Sequence, residues 1–175
     1  MSPLRPDLVD CWIFRVAAAV PAGAPAVEIL LIRRSPGRIL PGLWQCVSGS
    51  VEPDERVALA ALREVEEETG FGPESIEAFF DLDLVNQFHE PSVDGVMLAA
   101  VFAIRVRNGV EPVLSHEHTA FRWLALEDAW REVVWPGYRD AIERIRDHLL
   151  EPARGIWFRL GLDGRRLADA VDGPR

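Results

Sequence analysis

The sequence is short of positive charge and of cysteine, and it has no long apolar run. Its 28 acidic side chains outnumber its 19 basic ones, and the net charge of −9 argues against binding to a nucleic-acid polymer, which needs a basic surface. The two cysteines, Cys11 and Cys46, lack metal-ligand spacing, so buried thiols in a reducing compartment are expected. No apolar run could cross a membrane, and residues 1–10 contain no signal-peptide pattern, so a cytoplasmic location without a membrane partner is predicted.

The apolar pattern predicts strands and helices in a chain of ordinary single-domain size. Strands are predicted at residues 8–20, 27–34, 43–48, 76–89, 96–107 and 119–126, and helices at 55–69, 127–135 and 138–150. Breaker residues predict turns or loops at 21–26, 35–42 and 108–109. This order indicates an α/β/α sandwich with a mixed sheet. Residues 1–150 would form one domain and 151–175 an extension, with one extra strand within 155–162 and a mobile tail from 165.

The most informative stretch is residues 49–71 (GSVEPDERVALAALREVEEETGF). It reads as a loop followed by a helix, with Pro53 and Asp54 as start signals and Gly70 as the end. The predicted helix therefore runs from about Glu55 to Thr69. Apolar residues at helical intervals predict its buried stripe: Val57, Ala58, Ala61, Leu62 and Val65.

Three glutamates share one face of this helix. Glu64, Glu67 and Glu68 lie at positions i, i+3 and i+4, where like charges destabilise a bare helix by about a few tenths of a kcal/mol per pair. A hard divalent cation bound through oxygen would offset that cost. A solvated acidic face is the common alternative, and the carboxylates alone leave it open. Arg63 lies beside this face and could orient a carboxylate, with Glu55 as the candidate.

The whole stretch resembles the signature of the Nudix hydrolases at every specified position. That signature is Gly, five residues, Glu, seven residues, then Arg-Glu-apolar-x-Glu-Glu-x-Gly-apolar. The matching residues are Gly49, Glu55, Arg63, Glu64, Val65, Glu67, Glu68, Gly70 and Phe71. A chance match is rarer than about one in 10^8 per starting position at average residue usage. The resemblance implies a Nudix-type α/β/α sandwich and metal-dependent hydrolysis of a phosphoanhydride.

The resemblance also implies roles for the motif residues. Glu64 and Glu68 are expected to be metal ligands, and Glu67 is expected to bind a further ion or to help position the attacking water. A backbone carbonyl near Gly49 could complete the metal shell, and Arg63 would act by orienting a carboxylate. The expected ion is Mg²⁺ or Mn²⁺, which would lower the pKa of a bound water and clamp phosphate oxygens.

Residues 43–52, 117–123 and 138–143 resemble one branch of the family, the dihydroneopterin triphosphate pyrophosphatases and their dATP-cleaving relatives. The pair Trp44-Gln45 precedes the motif, and residues 117–123 (EHTAFRW) match a run that supplies the extra metal ligand in that branch. Glu117 is therefore the expected further ligand and catalytic group, although an exposed loop residue is equally compatible with its position alone. His116 and His118 are interpreted as surface histidines, because oxygen-rich partners do not favour zinc.

Four further residues are expected to bind substrate. Arg33 and Arg34 match the paired arginines of that branch and could hold phosphate oxygens bidentately, while a charged strand end is the alternative for at least one of them. Trp44 could stack on a base or pterin ring, with core packing as its alternative. Ser48 could contact phosphate.

The implied activity is cleavage of a nucleoside or pterin triphosphate to monophosphate and pyrophosphate. Homodimer formation is left open. The alternatives are hydrolysis of a nucleoside diphosphate linked to coenzyme A, a sugar or ADP-ribose, and a non-catalytic module that senses a nucleotide. The complete glutamate set favours catalysis, because a sensor would not need every ligand. The chain's only tyrosine is Tyr138, so the tyrosine expected after the motif in dinucleoside polyphosphate hydrolases is missing.

Overall fold

One mixed sheet runs through the part of the chain that the computed structural model describes, residues 4–17 and 26–167. Its eight strands there are β1 (Leu4–Val16), β2 (Val27–Arg34), β3 (Trp44–Gln45), β4 (Val47–Ser50), β5 (Ile76–Glu90), β6 (Gly95–Val106), β7 (His118–Ala125) and β8 (Arg159–Leu160). The strand order is β3-β2-β1-β6-β5-β8, with β4 also paired to β1 and β7 to β2. β1 and β6 are parallel, and the other paired strands are antiparallel.

Helices cover both faces of this sheet. They are α1 (Val57–Thr69), α2 (Leu126–Glu132), α3 (Pro136–Arg144), which continues through a π-helical turn at Ile145–Leu149, and the short α4 (Pro152–Gly155). Alternate side chains of a strand point to opposite faces. Cys11 and Ile13 of β1 therefore pack with α1, whereas Trp12 and Phe14 pack with α2 and α3. Each such large buried side chain contributes about 1.5–3 kcal/mol relative to exposure. The predicted α/β/α sandwich is confirmed.

The motif helix begins later than predicted. α1 starts at Val57 rather than near Glu55, and Arg56 occupies the N-cap position, where its side chain does not cap the helix. Asp54 does not cap the helix, because it lies in a turn with a φ of 64°. Glu55 lies before the helix, and its carboxylate accepts hydrogen bonds from Arg63.

The buried side of α1 is also rotated from the predicted stripe. Its buried residues are Ala60, Ala61, Val65, Glu68 and Thr69. Val57, predicted to be buried, is 40% exposed. The predicted end is confirmed, since Gly70 has a φ of 71° and its N–H donates to the carbonyl oxygen of Glu66 at 2.8 Å. This rotation turns Glu68 towards the protein interior.

Several strand boundaries differ from the predicted ones. β1 begins four residues earlier than expected, at Leu4 instead of Leu8, while residues 18–20 and most of the predicted turn at 21–26 lie outside the described residues. The predicted strand at 43–48 is two strands, because the chain passes at Cys46 from pairing with β2 to pairing with β1. α3 begins at Pro136, whose missing N–H suits the first position of a helix.

The cysteines are buried as expected. Cys11 and Cys46 are both free thiols, and burial raises the pKa of each. Within the described ranges, no helix is long and apolar enough to cross a membrane.

The C-terminal extension is tied to the sheet and to α1. β8 pairs with the edge of β5 through Leu160 and Phe79. The N–H of Leu167 donates to the carbonyl oxygen of Arg159 at 3.0 Å, which closes a small hairpin over residues 159–167. At its turn, the carbonyl oxygen of Asp163 accepts a 2.6 Å hydrogen bond from Arg56 at the start of α1. The expected mobile tail from residue 165 lies mostly outside the described residues.

Candidate active site

Arg63 joins the motif helix to the loop that precedes it. Its Nε donates to Oε1 of Glu55 at 2.9 Å, and its Nη2 donates to Oε2 of the same residue at 3.0 Å. Nη2 also donates to the carbonyl oxygen of Ser50 at 2.8 Å. The predicted pairing of Arg63 with Glu55 is confirmed. The bidentate hydrogen bonds between Arg63 and Glu55 fix the orientation of the guanidinium plane more strictly than a single contact would.

Glu64 lies against the glycine that opens the motif. A Cβ atom added to Gly49 would come within 1.9 Å of the carboxyl carbon of Glu64. Only a residue without a side chain allows the two segments to approach so closely. Nη1 of Arg63 donates to Oε1 of Glu64 at 2.9 Å and to Oε2 of Glu67 at 3.3 Å. The motif helix and the end of β4 are thus in direct contact at the acidic cluster.

Glu68 is the buried carboxylate of this cluster. Its side chain is 7% exposed, and its Oε2 has no hydrogen-bond partner among the described residues. Burial, together with the negative charges of Glu64 and Glu117, raises the pKa of Glu68 to about 9. An unpaired buried oxygen costs free energy unless some ligand or partner satisfies it. The position therefore favours a bound cation.

His118 corrects one sequence interpretation. His116 is exposed as expected, but His118 is buried, with its Nε2 3.7 Å from Oε2 of Glu68. Neither ring nitrogen of His118 has a hydrogen-bond partner in the described part of the chain. Burial, together with the positive charge of Arg34, lowers the pKa of His118 to about 4. The register of the β2–β7 pairing shifts between Arg33 and Arg34, and Arg34 is paired with His118. The alternation of polar and apolar residues along β7 therefore does not predict that His118 is buried.

Glu117 lies at the edge of the same cluster and is bound by an arginine. Its carboxylate forms an ion pair with Arg38, in the loop between β2 and β3. The backbone joins the two loops as well, since the N–H of Ser35 donates to the carbonyl oxygen of Glu117 at 2.8 Å. The hydroxyl of Ser35 donates to the carbonyl oxygen of His116 at 2.9 Å. The structure thus places Glu117 near Glu68, as the sequence predicts.

The two predicted arginines are in different positions. Arg34 is partly buried, and it donates to the carbonyl oxygen of Ile39 at 2.6 Å and to Oε1 of Gln45 at 3.2 Å. Its charge acts on both Glu68 and His118. Arg33 is exposed, and its guanidinium lies beside Gly42. Arg34 is therefore part of the cluster, and Arg33 lies at the exposed end of β2.

The other two predicted substrate residues, Trp44 and Ser48, have different surroundings. Trp44 packs against the core beneath α2 and α3, and the guanidinium carbon of Arg122 lies 4.3 Å from its ring centroid. The backbone of Ser48 lowers the pKa of Glu68, and its side chain lowers the pKa of Asp10. Ser48 thus connects the acidic cluster to a second polar group.

Asp10 and Asn86 form this second group, which sequence reasoning missed. Nδ2 of Asn86 donates to Oδ2 of Asp10 at 2.8 Å, and both side chains are buried. Burial raises the pKa of Asp10, and Oδ1 of Asn86 has no partner among the described residues. The two residues are 76 positions apart, and nothing in either local pattern marks them.

The carboxylates of the cluster supply the type of oxygen donor that a divalent cation needs. Within residues 4–17 and 26–167, no three acidic, histidine or cysteine side chains already converge as an ion-binding group. Arginines pair with Glu64, Glu67 and Glu117, and of the four carboxylates only Glu68 keeps an unpaired buried oxygen. All four donors are carboxylate oxygens, the type that Mg²⁺ prefers. The set fits a divalent ion, provided that the ion replaces arginine as the partner of these carboxylates.

Comparisons with known proteins agree with this geometry. A family model described as the NUDIX domain matches residues 13–145. An octanoyltransferase from Myxococcus xanthus is 33% identical over 129 residues, 73% of this chain but only 34% of that protein. A CTP pyrophosphohydrolase from Escherichia coli K12 is 33% identical over 109 residues, 62% of this chain and 75% of that protein. A pig (Sus scrofa) asymmetrical bis(5'-nucleosyl)-tetraphosphatase is 35% identical over 123 residues, 67% of this chain and 77% of that protein.

A solved structure is also similar to this chain. The E. coli dihydroneopterin triphosphate pyrophosphohydrolase superimposes with a TM-score of 0.58 and 25% identity, covering 78% of this chain and 95% of that one. The chain spans about a third of the length of the Myxococcus protein, at 34%. That likeness therefore concerns one segment of the Myxococcus protein.

Proposed function

The chain belongs to the Nudix family, and from this premise we propose that it hydrolyses a phosphoanhydride of a nucleoside or pterin triphosphate. Dihydroneopterin triphosphate and deoxynucleoside triphosphates are the proposed substrates, and the products are the monophosphate and pyrophosphate. The observation that carries the proposal is Glu68, a buried carboxylate with a free oxygen beside Glu64 and Glu117. A polyphosphate and its divalent ion would satisfy such a cluster.

The proposed cofactor is Mg²⁺ or Mn²⁺. Its proposed ligands are Glu64, Glu67, Glu68 and Glu117, with the backbone carbonyl of Gly49. When bound, the ion would neutralise phosphate oxygens and lower the pKa of a water molecule. Nudix hydrolases generally use divalent ions, and the unpaired oxygen of Glu68 supports the same need here.

The side chains of the site have distinct proposed tasks. Arg63 is a positioning residue, because it holds Glu55 and the carbonyl oxygen of Ser50 and so fixes the loop before α1. Glu67 is 59% exposed, and this makes it the carboxylate best placed to orient a water molecule from solvent. Arg34 faces the cluster and would pair with phosphate oxygens.

A triphosphate fits better than a dinucleoside polyphosphate. The names of two similar proteins, a CTP pyrophosphohydrolase and a dihydroneopterin triphosphate pyrophosphohydrolase, point to triphosphates. The tyrosine expected after the motif in dinucleoside polyphosphate hydrolases is missing, because the only tyrosine in the sequence, Tyr138, is buried with its ring 5.2 Å from that of Trp12. Trp44 remains the proposed aromatic contact for one base or pterin ring, and Ser48 and Arg33 remain proposed phosphate contacts.

A substrate panel tests the proposal. The purified chain is incubated with Mg²⁺ or Mn²⁺ and with dihydroneopterin triphosphate, dATP, CTP, ADP-ribose, coenzyme A and a dinucleoside tetraphosphate. The expected result is pyrophosphate release from one or more triphosphates. Cleavage confined to a diphosphate-linked substrate would establish the alternative class. Binding without turnover by the intact site would instead indicate a sensing module.

The variant Glu68→Gln tests directly whether activity requires the buried carboxylate of Glu68. We expect kcat to fall by about three orders of magnitude or more, because the amide cannot supply the negative charge that the ion requires. Glu66→Gln is the matched control, since Glu66 is an exposed neighbour on the same helix. Turnover by Glu68→Gln at the rate of the parent chain would contradict the proposed site.

A further inference from the structure

Arg38 connects an exposed loop to the acidic cluster. The loop at residues 35–42 joins β2 to β3, and the guanidinium of Arg38 donates to Oε1 of Glu117. Glu117 is one of the proposed metal ligands. The same loop is held at its base, because Nε of Arg34 donates to the carbonyl oxygen of Ile39 at 2.6 Å. Arg38 is therefore kept at the rim of the site by a carboxylate that the ion would also need.

We propose that Arg38 is a substrate-binding residue. In the ion-free protein its guanidinium pairs with Glu117. When the divalent ion binds Glu117, the guanidinium is released and pairs with the polyphosphate. The inference rests on the proposed function, because it requires Glu117 to bind the ion. It adds a residue outside the motif and outside the paired arginines, and it gives the loop a defined task.

Charge balance supports this exchange. The negative charges of Glu64 and Glu117 both act on buried Glu68, so the cluster has too few positive partners without an ion. Arg38 partly compensates this charge in the ion-free protein. When a divalent ion takes over Glu117, the guanidinium loses its partner but keeps its charge, since arginine does not deprotonate in proteins. A triphosphate brings several oxygens that match the planar guanidinium.

The ion pair is weak enough to be exchanged. The side chains of Arg38 and Glu117 are 39% and 36% exposed, and exposed pairs contribute little because water screens them. The backbone contact between Ser35 and Glu117, 2.8 Å long, does not depend on the Arg38 side chain. The guanidinium can therefore move to a ligand while the two loops stay together. A merely structural surface pair would show no coupling to ion or phosphate binding.

Manganese binding without substrate gives the first test. Free Mn²⁺ is measured by electron paramagnetic resonance during titration of the full chain and of its variants. Arg38→Gln is expected to tighten Mn²⁺ binding by about two- to fivefold, the range expected for removal of an exposed competing pair. Glu117→Gln should weaken Mn²⁺ binding. In the Glu117→Gln background, Arg38→Gln should have no further effect, because the competition is gone.

Inorganic tripolyphosphate gives the second test. Its affinity is measured by calorimetry, with and without Mn²⁺. With Mn²⁺, Arg38→Gln is expected to weaken tripolyphosphate binding by about tenfold, as loss of a charge-assisted contact would. Without Mn²⁺, the same substitution should have little effect, because Arg38 is then bound to Glu117. Arg131→Gln is the matched control, since Arg131 is exposed and pairs with Asp128 on α2.

The outcomes separate the two proposals. If Glu117→Gln weakens Mn²⁺ binding but Arg38→Gln changes neither affinity, the role of Arg38 is wrong and the metal site stands. If neither Glu117→Gln nor Glu68→Gln changes Mn²⁺ binding, the proposed site is wrong and the role of Arg38 falls with it. If Arg38→Gln and Arg131→Gln changed the measured affinities equally, the effect would come from the net charge of the protein. That result would also overturn the inference.

Discussion

At the scale of single residues, Gly49 makes the sharpest steric demand in the site. Gly49→Ala would place a methyl group 1.9 Å from the carboxyl carbon of Glu64, so one of the two segments must move. We expect a loss of stability of about 1–3 kcal/mol and a fall in kcat by about a hundredfold or more. Chemical denaturation and steady-state kinetics measure the two effects.

Gly37 is the control for this substitution. A Cβ atom added there would meet no heavy atom within 4 Å, so Gly37→Ala should leave stability and kcat close to those of the parent chain. If both alanine variants behaved alike, the close approach of Gly49 to Glu64 would not be a property of the folded protein.

Asp10 predicts a specific dependence of stability on pH. Burial raises its pKa in the folded state above the unfolded value of 3.8. A carboxyl group with a raised pKa binds more protons in the folded than in the unfolded state. Its contribution to the free energy of unfolding therefore falls as the pH rises from about the unfolded value to the folded one.

The variant Asp10→Asn removes this dependence. Relative to the parent chain, Asp10→Asn should be more stable at pH 8 than at pH 3, by about 1.4 kcal/mol for each unit by which folding raises the pKa. Urea denaturation at the two pH values measures the difference. Asp128→Asn, at an exposed position on α2, serves as the control. The same relative stability at both pH values would show that Asp10 is not buried as a carboxyl group.

At the scale of elements, β8 attaches the C-terminal extension to both the sheet and the motif helix. Leu160 is 6% exposed and belongs to the cluster beneath α1, whereas nearby Leu162 is 44% exposed. Leu160→Ala is expected to lower the free energy of unfolding by about 2–4 kcal/mol, because it leaves a cavity in that cluster. Leu162→Ala should cost about 0.5 kcal/mol or less.

Differential scanning calorimetry measures the loss of stability in each of the two leucine variants. No loss in Leu160→Ala would mean that β8 does not contribute to the core, and an equal loss in both variants would contradict the different burial of the two leucines. A loss confined to Leu160→Ala, together with reduced kcat, would show that the extension also supports the geometry of α1.

What the sequence predicts at this scale depends on how local each signal is. The Arg63–Glu55 pair is predictable, because both residues belong to one continuous motif and Arg63 can reach back over two turns. The burial of His118 is not, because it depends on a register shift between β2 and β7. The pairing of Asp10 with Asn86 depends on the order of strands in the sheet, which no local pattern specifies. The α/β/α layering follows from the alternation of elements, but individual contacts between distant strands do not.

At the scale of the whole molecule, ion binding should be visible as stability. A ligand at 100 times its Kd stabilises a folded protein by about 2.7 kcal/mol, which raises the Tm of a domain of this size by about 5–10 °C. We expect such a rise when Mg²⁺ is added to protein treated with a chelator. Calorimetry with Glu68→Gln provides the control, since that variant should show little of the rise. An equal rise in both proteins would assign the effect to general surface binding of the ion.

The parallel pairing of β1 with β6 bears on how the polypeptide is made. Cys11 lies beside Phe102 in this pairing, so during synthesis β1 waits for almost a hundred more residues before its second edge is covered. Such a distant closure is slow compared with a hairpin. Until then, the nascent chain carries an open, apolar strand edge, the kind of surface that chaperones shield from aggregation.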